Sequence, residues 1–183
     1  MNTARQGPKL AADANPASAA RAIVLRQLTH SPKSRFQLSQ KLAEREIPAD
    51  VAEAVLDRFE AVKLIDDAEF AHMWVRSRSL HKSLARGALQ RELAEKGIAA
   101  EVAQEALEQI DEHTERRQAR ELVQRKLRIS LDLTDRTERE KYTRRWVAML
   151  ARKGFNPSLA FQIVGEVIQE SLLRSEGFGA RRP

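Results

Sequence analysis

The chain has 183 residues, 42% of them hydrophobic, 32% charged and 5% aromatic, with a formal net charge of +6. Seven Gly and six Pro are too few for a turn-rich β-sandwich, and the scarcity of aromatics argues against a base-stacking sheet surface. Cysteine is absent, which excludes disulfides, thiolate metal sites and a cysteine nucleophile.

In chain order, Met1 to Ser18 has Leu10 as its only large apolar residue after Met1 and reads as a disordered leader without an apolar signal segment. No stretch approaches the roughly 20 apolar residues that span a bilayer, so the expected setting is cytoplasmic with no membrane partner. From Ala19 onward nearly every segment carries a helical period. Leu42–Phe59 reads LAEREIPADVAEAVLDRF, and 51 residues later Leu93–Ile110 reads LAEKGIAAEVAQEALEQI, with eight identities in eighteen positions. A third copy, LARKGFNPSLAFQIVGEV, follows at Leu150–Val167 after a further 57 residues. The copies align Leu42 with Leu93 and Leu150, Ile47 with Ile98 and Phe155, and Phe59 with Ile110 and Val167.

Each copy has the same grammar. One helix ends at Glu46, Gly97 or Gly154, where a left-handed cap favours glycine. An apolar residue then anchors the turn, and a second helix opens, with Pro48 and Pro157 expected in its first turn, where a proline needs no N–H. A further helix precedes each pair: Ala19–Thr29, Asp67–His81 and Thr114–Ile129. Asp66-Asp67-Ala68-Glu69 fits a capping box at the start of the second, and Ser130–Thr134 interrupts the pattern before Asp135–Lys153. The fold class is therefore all-α, three tandem three-helix repeats in an elongated, slightly curved arrangement. The expected divisions are a leader 1–18, repeats 19–66, 67–113 and 114–170, and a basic tail 171–183.

No catalytic constellation is present. The chain lacks a Walker-type phosphate loop, a G-x-G-x-x-G and an H-E-x-x-H. His30, His72, His81 and His113 are far apart and have no ligand-spaced partners, and Asp66, Asp67 and Glu69 are explained as a helix cap. No cofactor, metal or enzymatic activity is expected. Trp74 and Trp146 fall on apolar stripes, which favours core packing over base stacking.

Charge is more informative. Residues 113–183 carry a net +7. Between Ala71 and Arg91 there are five basic residues, Arg76, Arg78, Lys82, Arg86 and Arg91, and no acid, whereas Glu92–Glu112 holds seven acids against Lys96 alone. Arg116, Arg117, Arg120, Arg125, Lys126 and Arg128 load the helix opening the third repeat, and Arg144, Arg145, Arg152 and Lys153 load the next. Clustered arginine suits phosphate or acidic protein. The expected binding surface comprises Arg76, Arg78, Lys82, Arg86, Arg91, Arg144, Arg145, Arg152 and Lys153. A DNA-binding transcriptional regulator built on helical repeats is the alternative, but the second helices of the pairs are too acidic or apolar to read bases.

Four phrases carry a family resemblance: SRFQLSQKLAEREI (Ser34–Ile47), LIDDAEFAHMWVRSR (Leu64–Arg78), LARGALQRELAEKGI (Leu84–Ile98) and RRWVAMLARKGF (Arg144–Phe155). In these the chain closely resembles the regulatory protein RecX family over about Ala19–Glu170. It departs from the pattern at Val62-Lys63, before Leu64-Ile65-Asp66-Asp67, and at Glu46, in place of a turn glycine. The resemblance implies three tandem three-helix repeats and a bacterial modulator of the RecA recombinase in DNA repair and the SOS response. Such a protein binds the RecA nucleoprotein filament along its groove and restrains strand exchange, ATP hydrolysis and co-protease activity. Some members also bind DNA, so single- or double-stranded DNA is a further expected partner, and the chain is expected to be a monomer.

Overall fold

Asn15 caps the first helix, its side-chain oxygen accepting the Ala17 N–H at 3.0 Å. Helix α1 runs Pro16–His30, with Pro16 at the position where its missing N–H costs nothing. This corrects the expected leader: Asn15–Ser18 belong to α1 and its cap, and residues 1–14 lie outside the described part. The computed structural model describes residues 15–127 and 133–179. Among these are nine helices and no strand.

Ser34 opens α2 (Arg35–Ala43) with a full capping box, exchanging bonds with Gln37. Pro48 occupies the cap of α3 (Ala49–Ala61), one position earlier than the first helical turn expected for it. Asp66 accepts the Ala68 and Glu69 N–H groups, both at 3.1 Å, and opens α4 (Asp67–Lys82) as its spacing predicts. Helices α5 (Arg86–Glu95), α6 (Ala100–Leu107) and α7 (Glu112–Leu127) follow. Asp135 caps α8 (Arg136–Arg152), accepting the Glu138 N–H at 2.8 Å. Most of the Ser130–Thr134 interruption lies outside the described residues, but Leu133 is buried. Helix α9 (Pro157–Gly179) continues well past residue 170, so the first part of the expected tail is helical; residues 180–183 lie outside the described part.

The repeat register is visible in burial. Leu42, Leu93 and Leu150 are each 0% exposed. Leu56, Leu107 and Val164 are buried alike, as are Phe59, Ile110 and Val167, while Val51, Val102 and Leu159 are half-buried in all three copies. The turn repeats too: Glu46, Gly97 and Gly154 are all left-handed, with φ of 57°, 72° and 88°. In the first and third copies the residue after this turn donates its N–H to the last core leucine, Ile47 to Leu42 and Phe155 to Leu150, both at 3.2 Å. That closes the helix end in the manner of a Schellman cap. Three sets of three helices, α1–α3, α4–α6 and α7–α9, thus share one plan.

By packing, the chain forms two compact units: Met1–Phe70 with Lys96–Ile98, and Ala71–Glu95 with Ala99–Pro183. In the first, α1, α2 and α3 enclose Val24, Leu38, Leu42, Leu56 and Ile65. Arg35 at the start of α2 ties this unit together on its polar side. Its guanidinium pairs with Glu53, Asp57 and Glu60 of α3 at 2.5, 2.7 and 2.6 Å, and its N–H donates to Asp67 at 2.8 Å. Burial pushes the Asp67 carboxyl above the usual carboxylate range, partly offset by Arg35. In the second unit, Val123, Trp146, Leu150, Phe155, Ile163 and Val164 form the core. Arg116 and Arg120 of α7 clamp Glu166 of α9 at 2.5 and 3.2 Å, and Arg120 also pairs with Glu170. Among the described residues no helix is long and apolar enough to cross a membrane.

Candidate functional site

Helix α8 buries Trp146 and Leu150 and carries Tyr142, Arg145, Met149 and Arg152 at intervals of three and four, so these four share one flank. Helix α7 buries Ala119, Leu122 and Val123, which leaves Arg125 and Lys126 on the rim just beyond that core. Between the two helices lies a groove of about 680 Å³. Its floor is Leu122, Tyr142, Trp146 and Met149, and its walls carry Arg125, Lys126, Arg145, Arg152 and Lys153. The described lining includes five cations and no carboxylate.

Elsewhere in the molecule several arginines and lysines are ion-paired: Arg35 as described, Lys41 with Glu44, Lys63 with Asp66, Lys141 with Glu138 and Arg136 with Glu140. The groove cations have no ion pair among the described residues. Lys153 follows α8 at the left-handed turn, and its Nζ donates to the Lys82 carbonyl oxygen at 2.6 Å. Burial, reinforced by the charges of Arg125 and Lys82, pushes its pKa below the ordinary lysine range. The Lys153 carbonyl accepts the Ala85 N–H at 2.9 Å, which fixes the residue from its backbone side.

Of the nine residues expected from sequence, Arg145, Arg152 and Lys153 line this groove and Lys82 adjoins it. Arg144, next in sequence to Arg145, points away to a shallow depression beside α9, with its Nη2 3.5 Å from Glu140. The acid-free window of α4 and α5 is less free in space than in sequence. Arg78 lies over the Trp74 ring at 4.1 Å, with its Nε 3.5 Å from Glu92, which also accepts the Trp74 Nε1–H at 2.8 Å. The neutralising carboxylate comes from the acidic block itself. Trp74 is only half-buried, tied to these two charges, so its expected place in the core is corrected; Trp146 does sit there. Arg86 donates to the Ile110 carbonyl at 3.3 Å while its own N–H is capped by Glu115 at 2.7 Å, a structural setting. Arg76 and Arg91 are exposed and have no carboxylate partner among the described residues.

Arg125 and Lys126 were visible as part of a basic run but not as groove residues. Their spacing of three and four from Leu122 places them at the edge of the buried stripe, and that was the available signal. What sequence cannot supply is which flank of α8 they would face.

Two family models match, "RecX, first three-helix domain" over residues 20–59 and "RecX, second three-helix domain" over residues 66–107. The regulatory protein RecX of Streptomyces coelicolor is 45% identical over 165 residues, covering 90% of this chain and 86% of the relative. This chain belongs to the regulatory protein RecX family. A RecX of Mycolicibacterium vanbaalenii is 46% identical over 147 residues, 79% of this chain and 80% of its own. The crystal structure of RecX from Lactobacillus salivarius superposes with a TM-score of 0.68 at 20% identity, covering 83% of this chain and 96% of that one. At that identity the likeness speaks for the fold. The α7–α8 groove lies beyond the segments that the two RecX models match.

Proposed function

We propose that this RecX-family chain binds the RecA nucleoprotein filament and restrains its recombinase, ATPase and co-protease activities in DNA repair and the SOS response. The observation that carries the reading is the 45% identity to a regulatory RecX protein over 90% of the chain. The chemistry agrees with a partner rich in negative charge. Cations with no ion pair among the described residues converge in the α7–α8 groove and continue to Lys82, while Arg76 and Arg91 stand exposed on α4 and α5. Protein acids and DNA phosphates in the filament would both reward such a surface. The protein acts by occupancy, with no turnover of its own. A base-reading transcription factor is disfavoured by α3, whose carboxylates Glu53, Asp57 and Glu60 are committed to Arg35.

The test is RecA-catalysed ATP hydrolysis on single-stranded DNA, titrated with this protein. Hydrolysis should fall in a saturable way. No change up to a several-fold excess of the chain over RecA would refute the reading.

A further inference from the structure

The α7–α8 groove has two kinds of wall, and they call for a ligand with two kinds of surface. One is cationic. Arg125, Lys126, Arg145, Arg152 and Lys153 line it with no described carboxylate among them, whereas Arg35, Arg116 and Arg136 each hold a carboxylate partner. Holding like charges together without counter-charge is unfavourable, and a bound polyanion relieves it. Lys153 is also held in place, by its bond to the Lys82 carbonyl and by the Ala85 N–H on its own carbonyl. The second wall is aromatic and flat. Tyr142 is half-buried on the groove floor, its ring 5.6 Å from that of buried Trp146 and tilted by 33°. Trp146 backs the tyrosine from the core, which leaves the tyrosine as the ring that a ligand meets.

We infer that the groove between α7 and α8 is a nucleotide site, taking a phosphate group or chain on Arg125, Arg145, Arg152 and Lys153 and a base against Tyr142. The size is right for one or two nucleotide units. The chemistry is shared by a free nucleoside triphosphate and by a segment of single-stranded nucleic acid, and the base is read by its face, so little base preference is expected. The site needs no RecA, so it stands or falls separately from the proposed function.

The experiment is calorimetric titration of the full chain, without RecA or magnesium. The ligands are ATP, inorganic tripolyphosphate, adenosine and a thymidine oligonucleotide of about ten residues. ATP should bind more tightly than tripolyphosphate, adenosine should give no measurable heat, and the oligonucleotide should compete with ATP. Arg152→Ala and Arg145→Ala should each weaken ATP and oligonucleotide about tenfold, as loss of a charge-assisted contact does. Tyr142→Leu should weaken ATP about fivefold or more and leave tripolyphosphate unchanged. A tighter oligonucleotide identifies the strand as the source, and a tighter ATP the free nucleotide. ATP no tighter than tripolyphosphate would overturn the nucleotide assignment. So would equal binding by wild type and the two charge variants, provided that their melting temperatures match.

Discussion

Gly154 lies so close to Ala88 that a Cβ on the glycine would sit 2.1 Å from the Ala88 backbone nitrogen. The same turn in the second copy, at Gly97, would place a Cβ 2.4 Å from the Cβ of Phe36. Both glycines are needed twice over, for a left-handed φ and for a close approach to the start of another helix. The bonds at these places run parallel: the Ser34 hydroxyl donates to the Lys96 carbonyl at 2.6 Å, and the Ala85 N–H donates to the Lys153 carbonyl. In each case the acceptor immediately precedes the turn glycine.

Gly154→Ala and Gly97→Ala should therefore each destabilise by about 2 kcal/mol or more, from a left-handed penalty of about 1–2 kcal/mol plus overpacking against backbone or Cβ atoms. Glu46, the left-handed residue of the first copy, should respond in the opposite sense. Glu46→Gly should raise stability by up to about 1 kcal/mol, because relief of the left-handed strain exceeds the entropy cost of glycine. Urea unfolding with an unchanged slope reads all three. A neutral Gly154→Ala would show that the approach to Ala88 is not tight in solution.

The core leucines of the three copies carry a second expectation. Leu93 is fully buried, so Leu93→Ala should cost about 2–5 kcal/mol. Leu42 and Leu150 occupy the same register and should respond within the same range. An effect under about 1 kcal/mol at any of the three would mean that this copy's core collapses around the deletion.

Much of this was legible because the repeat doubles each inference. One apolar stripe is ambiguous, but three that keep Leu42, Leu93 and Leu150 in phase fix the register and the turns between helices. The caps were also readable, since Asp66 and the turn glycines act over only a few residues. Helix ends set by packing were not, and α9 runs past residue 170 with nothing local to forecast its length. The binding surface was half legible for a related reason. Sequence spacing puts Arg78 in an acid-free window, yet Glu92 reaches it from α5, and it puts Arg144 beside Arg145, though the two face different ways. Charge pairing between helices depends on rotation about each axis, which a run of charges does not encode.

Stability should fall in acid with a definite sign. The Glu69 N–H, then Lys63, hold the Asp66 carboxyl below the usual range, and the Thr114 hydroxyl and N–H do the same for Asp111. A carboxylate depressed in the folded state stabilises above its unfolded pKa of about 3.9, and that contribution is lost as pH falls through the folded value. Asp67 has the opposite sign, because its raised pKa makes its charged form a cost of folding as pH rises. Melting temperature should thus drop below about pH 4, and Asp66→Asn should flatten that drop. An unchanged acid limb in Asp66→Asn would remove this cap from the account.

The last expectation separates charges that hold the fold from charges that meet a partner. Arg78 is stacked on Trp74 and faces Glu92, so Arg78→Glu would set two carboxylates together and lower the melting temperature by several degrees. Lys82 and Arg152 are exposed, and both add to a concentration of like charge around Lys153 or the groove. Reversing them relieves repulsion, so Lys82→Glu with Arg152→Glu should leave the melting temperature unchanged or slightly raised. The same pair should bind RecA filaments more weakly than wild type, and the deficit should widen as salt is lowered, because screening no longer masks the lost attraction. Filament co-sedimentation across a salt series, run beside thermal melts, reads both effects. Wild-type binding by the Lys82→Glu/Arg152→Glu protein at every salt concentration would exclude this surface from the filament contact and turn attention to exposed Arg76 and Arg91 on α4 and α5.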